Sequence, residues 1–236
     1  MARLIIVLVL IGASAGARGA QPEELRVLFI GNSLTSVNDV PKLVESLTAR
    51  GGVRVRTGIV AKGNFSLDDH LQDGEATKAI AGGGWAFVVM QQGPSALEES
   101  RISLRAAAKR FDTFIRRAGA RPALYMVWPA SARRGDFDRV RESYALAASD
   151  IRGLFIPAGE AWRAAWRRDV AIALYGDDGF HPTPQASYLA ALVIAGALTG
   201  RTPLSLSMRP PGWPADWLTP ERARLLQEAA ADALKR

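Results

Sequence analysis

Apolar residues in this chain fall in short unbroken runs separated by longer stretches of helical spacing. Five runs are rich in β-branched or aromatic residues and have turn residues close by. They are Arg26–Ile30, Val53–Val60, Trp85–Gln91, Ala123–Trp128 and Gly153–Pro157. Runs of this kind predict strands buried on both faces, as parallel strands are. The stretches between and after them predict helices over Pro41–Arg50, Leu67–Ala81, Glu98–Ala118, Phe137–Asp150, Glu160–Arg168, Pro184–Leu198 and Pro220–Lys235. Pro184 and Pro220 stand where a first-turn proline belongs. Strand alternating with helix implies right-handed crossovers and a sheet covered on both sides. The expected fold is therefore α/β: a three-layer α/β/α sandwich on a five-stranded parallel sheet, flavodoxin-like. In such sheets ligands bind at the carboxyl ends of the strands, so the loops after the strands are where chemistry is expected.

The first twenty residues have a different pattern. A basic start, Met1-Ala2-Arg3, precedes eight apolar residues, Leu4 to Ile11, and then small residues including Ala15-Gly16-Ala17. This reads as a secretory signal peptide over 1–20, too short an apolar run to span a bilayer. The expectation is one domain over 21–236, exported to the periplasm or beyond, without stable membrane insertion once the signal is removed. The chain contains no cysteine. Disulfides, thiolate catalysis and cysteine metal sites are excluded, and a core of this size must supply the stability.

The formal net charge is +7, and +5 without Arg3 and Arg18, the two charged side chains of the first twenty residues. The excess is scattered arginine, with no basic run interleaved with aromatics, so nucleic-acid binding is not expected.

The strand-end loops carry the polar residues of interest: Gly31-Asn32-Ser33-Leu34-Thr35, Lys62-Gly63-Asn64-Phe65, Gln91-Gln92-Gly93 and Asp177-Asp178-Gly179-Phe180-His181-Pro182. Serine acyl transfer needs a nucleophile, a base and a group that orients the base. The chain has two histidines, His70 and His181. His181 follows Asp178 by three residues, so one loop can present both side chains to Ser33. Asp177 is the second choice for the acid. Taken alone, Asn32-Ser33 after a strand is also a common helix-capping turn. His70 lies in an amphipathic helix and is expected to be exposed. Asp68, Asp69, His70 and Asp73 make a weak case for a metal, and no metal site is expected. Trp128, Trp213 and Trp217 are candidates for stacking on a sugar ring, Trp128 the best placed, with core packing the default.

"GNSLT" and "DGFHP" together resemble the first and last blocks of the SGNH (GDSL-like) hydrolases. The resemblance runs in order through nearly all of residues 21–236. It implies the three-layer fold above, ester hydrolysis without a cofactor, and a triad of Ser33, His181 and Asp178. By the same resemblance the oxyanion hole uses the backbone N–H groups of Ser33 and Gly63. The family's usual third block, G-x-N-D, is missing. "VVMQQGPSA" is closer to the Q-G-E-S segment of sialate O-acetylesterase-like relatives, which makes Gln92 the third donor and Gln91 the fallback. The expected substrate is a short acyl or acetyl ester, with a glycan ester favoured. An O-acyltransferase using the same site, or a non-catalytic carbohydrate-binding relative, are the rivals. The α/β-hydrolase elbow G-x-S-x-G is absent around Ser33.

Overall fold

The computed structural model of the protein describes residues 23–50, 52–207 and 218–235. Residues 1–20, expected to be a signal peptide, and Trp213, Trp217 and the loop Met208–Trp217, expected to pack the last helix onto the body, lie outside these residues. Five parallel strands form one sheet: β1 (Glu23–Gly31), β2 (Val53–Ala61), β3 (Phe87–Met90), β4 (Arg121–Tyr125) and β5 (Leu154–Ile156). Their spatial order is β2-β1-β3-β4-β5. Strand order reverses between β1 and β3, which is where a doubly wound sheet opens a crevice.

The interior of the sheet is apolar because both of its faces are covered. Val27 to Ile30, Val88 to Met90 and Ala123 to Tyr125 are all essentially inaccessible to solvent. The helices are α1 (Ser33–Ser36), α2 (Val40–Thr48), α3 (Leu67–Asp73), α4 (Glu75–Ala81), α5 (Glu98–Arg117), α6 (Phe137–Asp150), α7 (Ala158–Arg168), α8 (Pro184–Thr199) and α9 (Pro220–Leu234). Helices α2, α7, α8 and α9 pack together as one cover, and α3 to α6 as the other. Helix α8 is apolar nearly all round and is buried from Ala186 to Gly196, as an enclosed helix must be.

Three features differ from the pattern read along the chain. The helix expected over Leu67–Ala81 is two helices, broken at Gly74, whose φ of 82° ends α3 in a left-handed cap. A short helix, α1, begins directly at Ser33, capped by the Asn32 side chain, which accepts from Leu34 N–H. A 3-10 segment, Ser131–Asp136, fills the turn between β4 and α6. Periodicity cannot reveal segments this short.

Register decides where the site lies. Gly31 pairs with Ala61, and Ile30 with Met90. The carboxyl ends of the three strands are therefore level, and the loops 32–35, 62–66 and 91–97 leave the sheet side by side.

Candidate active site

Ser33 is the first residue of α1, so its N–H has no partner within the helix, and none elsewhere among the described residues. Its side chain is half-buried. His181 Nε2 stands 2.9 Å from Ser33 Oγ. The other ring nitrogen, Nδ1, bonds Asp178 Oδ2. Asp178 Oδ1 also accepts from Phe180 N–H and His181 N–H, both at 2.9 Å. The bond to His181 first, and these two backbone bonds next, lower the Asp178 carboxyl from 3.8 to about 2. As a carboxylate Asp178 can only accept, which favours the His181 tautomer with its proton on Nδ1 and Nε2 turned to Ser33. The structure brings Ser33, Asp178 and His181 together.

Two different kinds of support hold the two sides of this contact. Beneath the Ser33 turn lies Gln91, which is fully buried. Its Oε1 accepts from Asn32 N–H at 3.0 Å and from Thr35 Oγ1 at 2.7 Å. Its Nε2 donates to Asn32 Oδ1 at 2.9 Å and to the Gln92 carbonyl. Gly31 permits this approach, since a Cβ there would sit 2.5 Å from Gln91 Oε1 and from Thr35 Oγ1. Asn32 Nδ2 donates to the Phe65 carbonyl at 3.1 Å, tying the turn to the loop after β2.

The Asp178–His181 loop is instead held from behind. Trp128 Nε1 donates to the Phe180 carbonyl at 3.0 Å, and Tyr175 Oη donates to the Pro129 carbonyl at 2.6 Å. Ser131 N–H donates to the Gly179 carbonyl at 2.8 Å. Gly179 has φ 66°, and a Cβ on it would meet Ser131 Oγ at 2.4 Å. Trp128 stacks on Trp162 with ring centres 3.8 Å apart, and Tyr175 meets Trp162 edge-on. One residue joins the two sides. Asn38, at φ 57°, donates through Nδ2 to the Pro182 carbonyl at 3.1 Å and to Ser187 Oγ at 2.9 Å.

The remaining expected residues are placed as follows. Gly63 sits in an exposed turn, its N–H without an acceptor among the described residues. Its neighbour Asn64, at φ 61°, lines the cleft. Gln92 also lines the cleft, but its amide is engaged. Oε1 accepts from Leu67 N–H at 3.0 Å, and Nε2 donates to Ser95 Oγ at 2.9 Å and to the Ser100 carbonyl at 3.4 Å. Gln91, with both amide groups saturated, positions the turn and has no hydrogen left to give. Asp177 is exposed and makes no contact with His181.

His70 departs from its expected place on the surface. It is completely buried, and its Nε2 donates to the Gly31 carbonyl at 2.7 Å. Burial pushes its pKa down from 6.5, against the opposing effect of that bond and of Asp73. The weak metal cluster around it is dispersed: Asp68 pairs with Arg110, Asp69 with Ser66, and Asp73 with Lys62. Trp128 is likewise in the core and no platform for a sugar. Sequence reasoning missed Asn38, Ser131 and Tyr175. A lone Asn-Asp pair between two helical segments was the one available signal, since asparagine tolerates the left-handed region.

The cleft over Ser33 has a volume of about 440 Å³. Its walls are the loop after β2 (Asn64, Phe65, Ser66), the loop after β3 (Gly93 to Leu97) and the turn after β4 with Phe180 (Pro129, Ala130, Arg133, Asp136).

Among proteins of known structure, this chain is similar to one assigned to the SGNH hydrolases, from Slackia heliotrinireducens. The two share 32% sequence identity and a TM-score of 0.63, over 75% of this chain and the whole of the other. The chain belongs to the SGNH hydrolase family. As an SGNH hydrolase it is an enzyme that acts on ester bonds. The fold is also shared with a DUF4886 family protein from Bacteroides uniformis, at 21% identity and TM-score 0.76, over 90% of this chain and 95% of that one. An acetylxylan esterase from Geobacillus stearothermophilus shares it at 14% identity and TM-score 0.51, over 76% of this chain and 94% of that one. No protein-family model matches this SGNH hydrolase, and no curated protein matches it.

Proposed function

We propose that the protein is an exported serine esterase that removes a short acyl group, in the first instance acetyl, from a carbohydrate. The observation that carries this reading is the 2.9 Å approach of His181 Nε2 to Ser33 Oγ, with Asp178 on the opposite ring nitrogen. Ser33 Oγ attacks the ester carbonyl carbon while its proton passes to His181 Nε2. The carbonyl oxygen becomes an oxyanion, which the N–H groups of Ser33 and Gly63 stabilise. Gln92 serves as third donor by giving up its 3.4 Å bond to Ser100, the weaker of its two. The tetrahedral intermediate collapses, the carbon–oxygen bond to the alcohol breaks, and His181 returns the proton to the departing oxygen. Water then attacks the acyl-Ser33 ester by the same route and releases the acid.

The acetyl group and the sugar rest on the modest size of the cleft and on the acetylxylan esterase that shares the fold. Export rests on the signal-like pattern of residues 1–20. The test is hydrolysis of p-nitrophenyl acetate by the wild type and by Ser33→Ala. The reading expects turnover in the first and a loss of about 10⁴-fold or more in the second. Equal activity in both would return Ser33 to the rank of a turn serine behind the Asn32 cap.

A further inference from the structure

The cleft has three walls, and the chemistry of an acyl transfer assigns each a part. The oxyanion forms toward the N–H donors, near the loop that carries Gly63 and Asn64. The leaving oxygen must face His181, which hands it the proton. The wall on the His181 side is therefore the wall of the alcohol. It is built by the turn after β4, which is bonded to the histidine loop through Ser131 N–H and the Gly179 carbonyl at 2.8 Å.

That turn carries Arg133 and Asp136, the only charged side chains among the described residues lining the cleft. Arg133 Nε donates to Asp136 Oδ2 at 2.7 Å. Two groups of the pair remain without a hydrogen bond to any described residue: Arg133 Nη1 and Asp136 Oδ1. Arg139 approaches Oδ1 to 3.9 Å, too far to bond it. Arg133 Nε and Nη2 both engage Asp136 Oδ2, so the pair keeps free N–H groups on Nη1 and a free acceptor on Oδ1, and its own two charges cancel. Hydroxyls of a polyol, each able to donate and to accept, can satisfy both. A carboxylate or an ammonium group would meet one favourable and one unfavourable partner.

We infer that Arg133 and Asp136 select the alcohol half of the ester, and that this half is a neutral polyol. The inference rests on the esterase reading above and deepens it by naming the residues that recognise the leaving group. Apolar residues of the loop after β3, Pro94, Ala96 and Leu97, are left to the acyl side.

The test compares three acetyl esters: p-nitrophenyl acetate, an O-acetylated neutral xylo-oligosaccharide and an O-acetylated galacturonide. Each is assayed with wild type, Arg133→Met and Asp136→Asn. The expected readout is the ratio of kcat/KM on the neutral sugar to that on p-nitrophenyl acetate. It should fall about tenfold to a hundredfold in Arg133→Met, the cost of losing a hydrogen bond from a charged group. In Asp136→Asn the arginine stands unopposed, and the ratio of galacturonide to neutral sugar should rise. A ratio that moves less than about twofold in Arg133→Met, within the spread of surface substitutions, overturns the inference. So does a wild type that cleaves p-nitrophenyl acetate and ignores the neutral sugar, or prefers the galacturonide. A wild type that cleaves none of the three takes down the esterase reading, and the inference with it.

Discussion

The nucleophile and its base are held in opposite ways. The Ser33 turn rests on a buried polar network in which Gln91 makes four hydrogen bonds at zero exposure. The Asp178–His181 loop lies at the surface, with the Asp178 side chain about half exposed at 51%. What fixes that loop is an aromatic block, Trp128 on Trp162 with Tyr175, which reaches it through the Trp128 indole N–H on the Phe180 carbonyl, while the Tyr175 phenol holds the neighbouring turn at the Pro129 carbonyl. A buried network is rigid only while every group is paired, because each unpaired group costs its full desolvation. Apolar packing degrades by degrees. The nucleophile side should therefore fail sharply when altered, and the base side gradually.

The largest effects belong to the reacting groups themselves. Ser33→Ala and His181→Ala should each lower kcat by about 10⁴-fold or more at unchanged fold, checked by steady-state hydrolysis beside circular dichroism. Asp178→Asn keeps the shape but loses the charge that orients the imidazole, and should cost about 10²- to 10⁴-fold in kcat. Next come the supports, where the contrast is tested directly. Gln91→Leu strands Asn32 N–H and the Thr35 hydroxyl, and should lower unfolding stability by at least ~2 kcal/mol, with kcat falling as well. Trp128→Phe keeps the stack on Trp162 but abandons the Phe180 carbonyl. Its cost should be about 1 kcal/mol, the net worth of one hydrogen bond to a partly accessible carbonyl, with KM little changed. Equal behaviour of these two variants in urea unfolding and kinetics would erase the distinction between the sides.

The smallest effect is a pH dependence of stability. His70 has its pKa lowered in the folded protein, first by burial. The unfolded chain takes up a proton near 6.5 while the folded one stays neutral, so stability is lost as pH falls below that value. The urea midpoint should decline from pH 6.5 toward 5, and His70→Gln should flatten that decline. Asp178 acts in a separate window, with its stabilising contribution lost only as pH falls from 3.8 through about 2.

Much of this was legible along the chain. All five strands and the long helices follow from apolar runs and spacing, because a parallel sheet buried on both faces leaves an unbroken apolar record. The pairing of Asp178 with His181 was legible because one short loop keeps both in adjacent letters; Ser33, 148 positions from His181, was joined to them through the resemblance of "GNSLT" and "DGFHP" to the SGNH hydrolase blocks. What was not legible depends on which way a side chain turns. His70 sits among acidic residues in an amphipathic stretch, yet faces inward to the Gly31 carbonyl. Gln91 and Gln92 are adjacent and alike in sequence, but one is a sealed hub and the other lines the cleft. Asn38, in the turn between α1 and α2, is joined to the Pro182 carbonyl across 144 positions, a separation its local sequence pattern does not reveal.

The central claim is that Ser33 is the nucleophile activated by His181. The most direct measurement is covalent labelling with a fluorophosphonate, followed by mass spectrometry of the proteolysed protein. One phosphonyl adduct is expected, on the peptide that contains Ser33, with labelling abolished in Ser33→Ala and strongly slowed in His181→Ala. An adduct on a different residue, or labelling indifferent to His181, would contradict it.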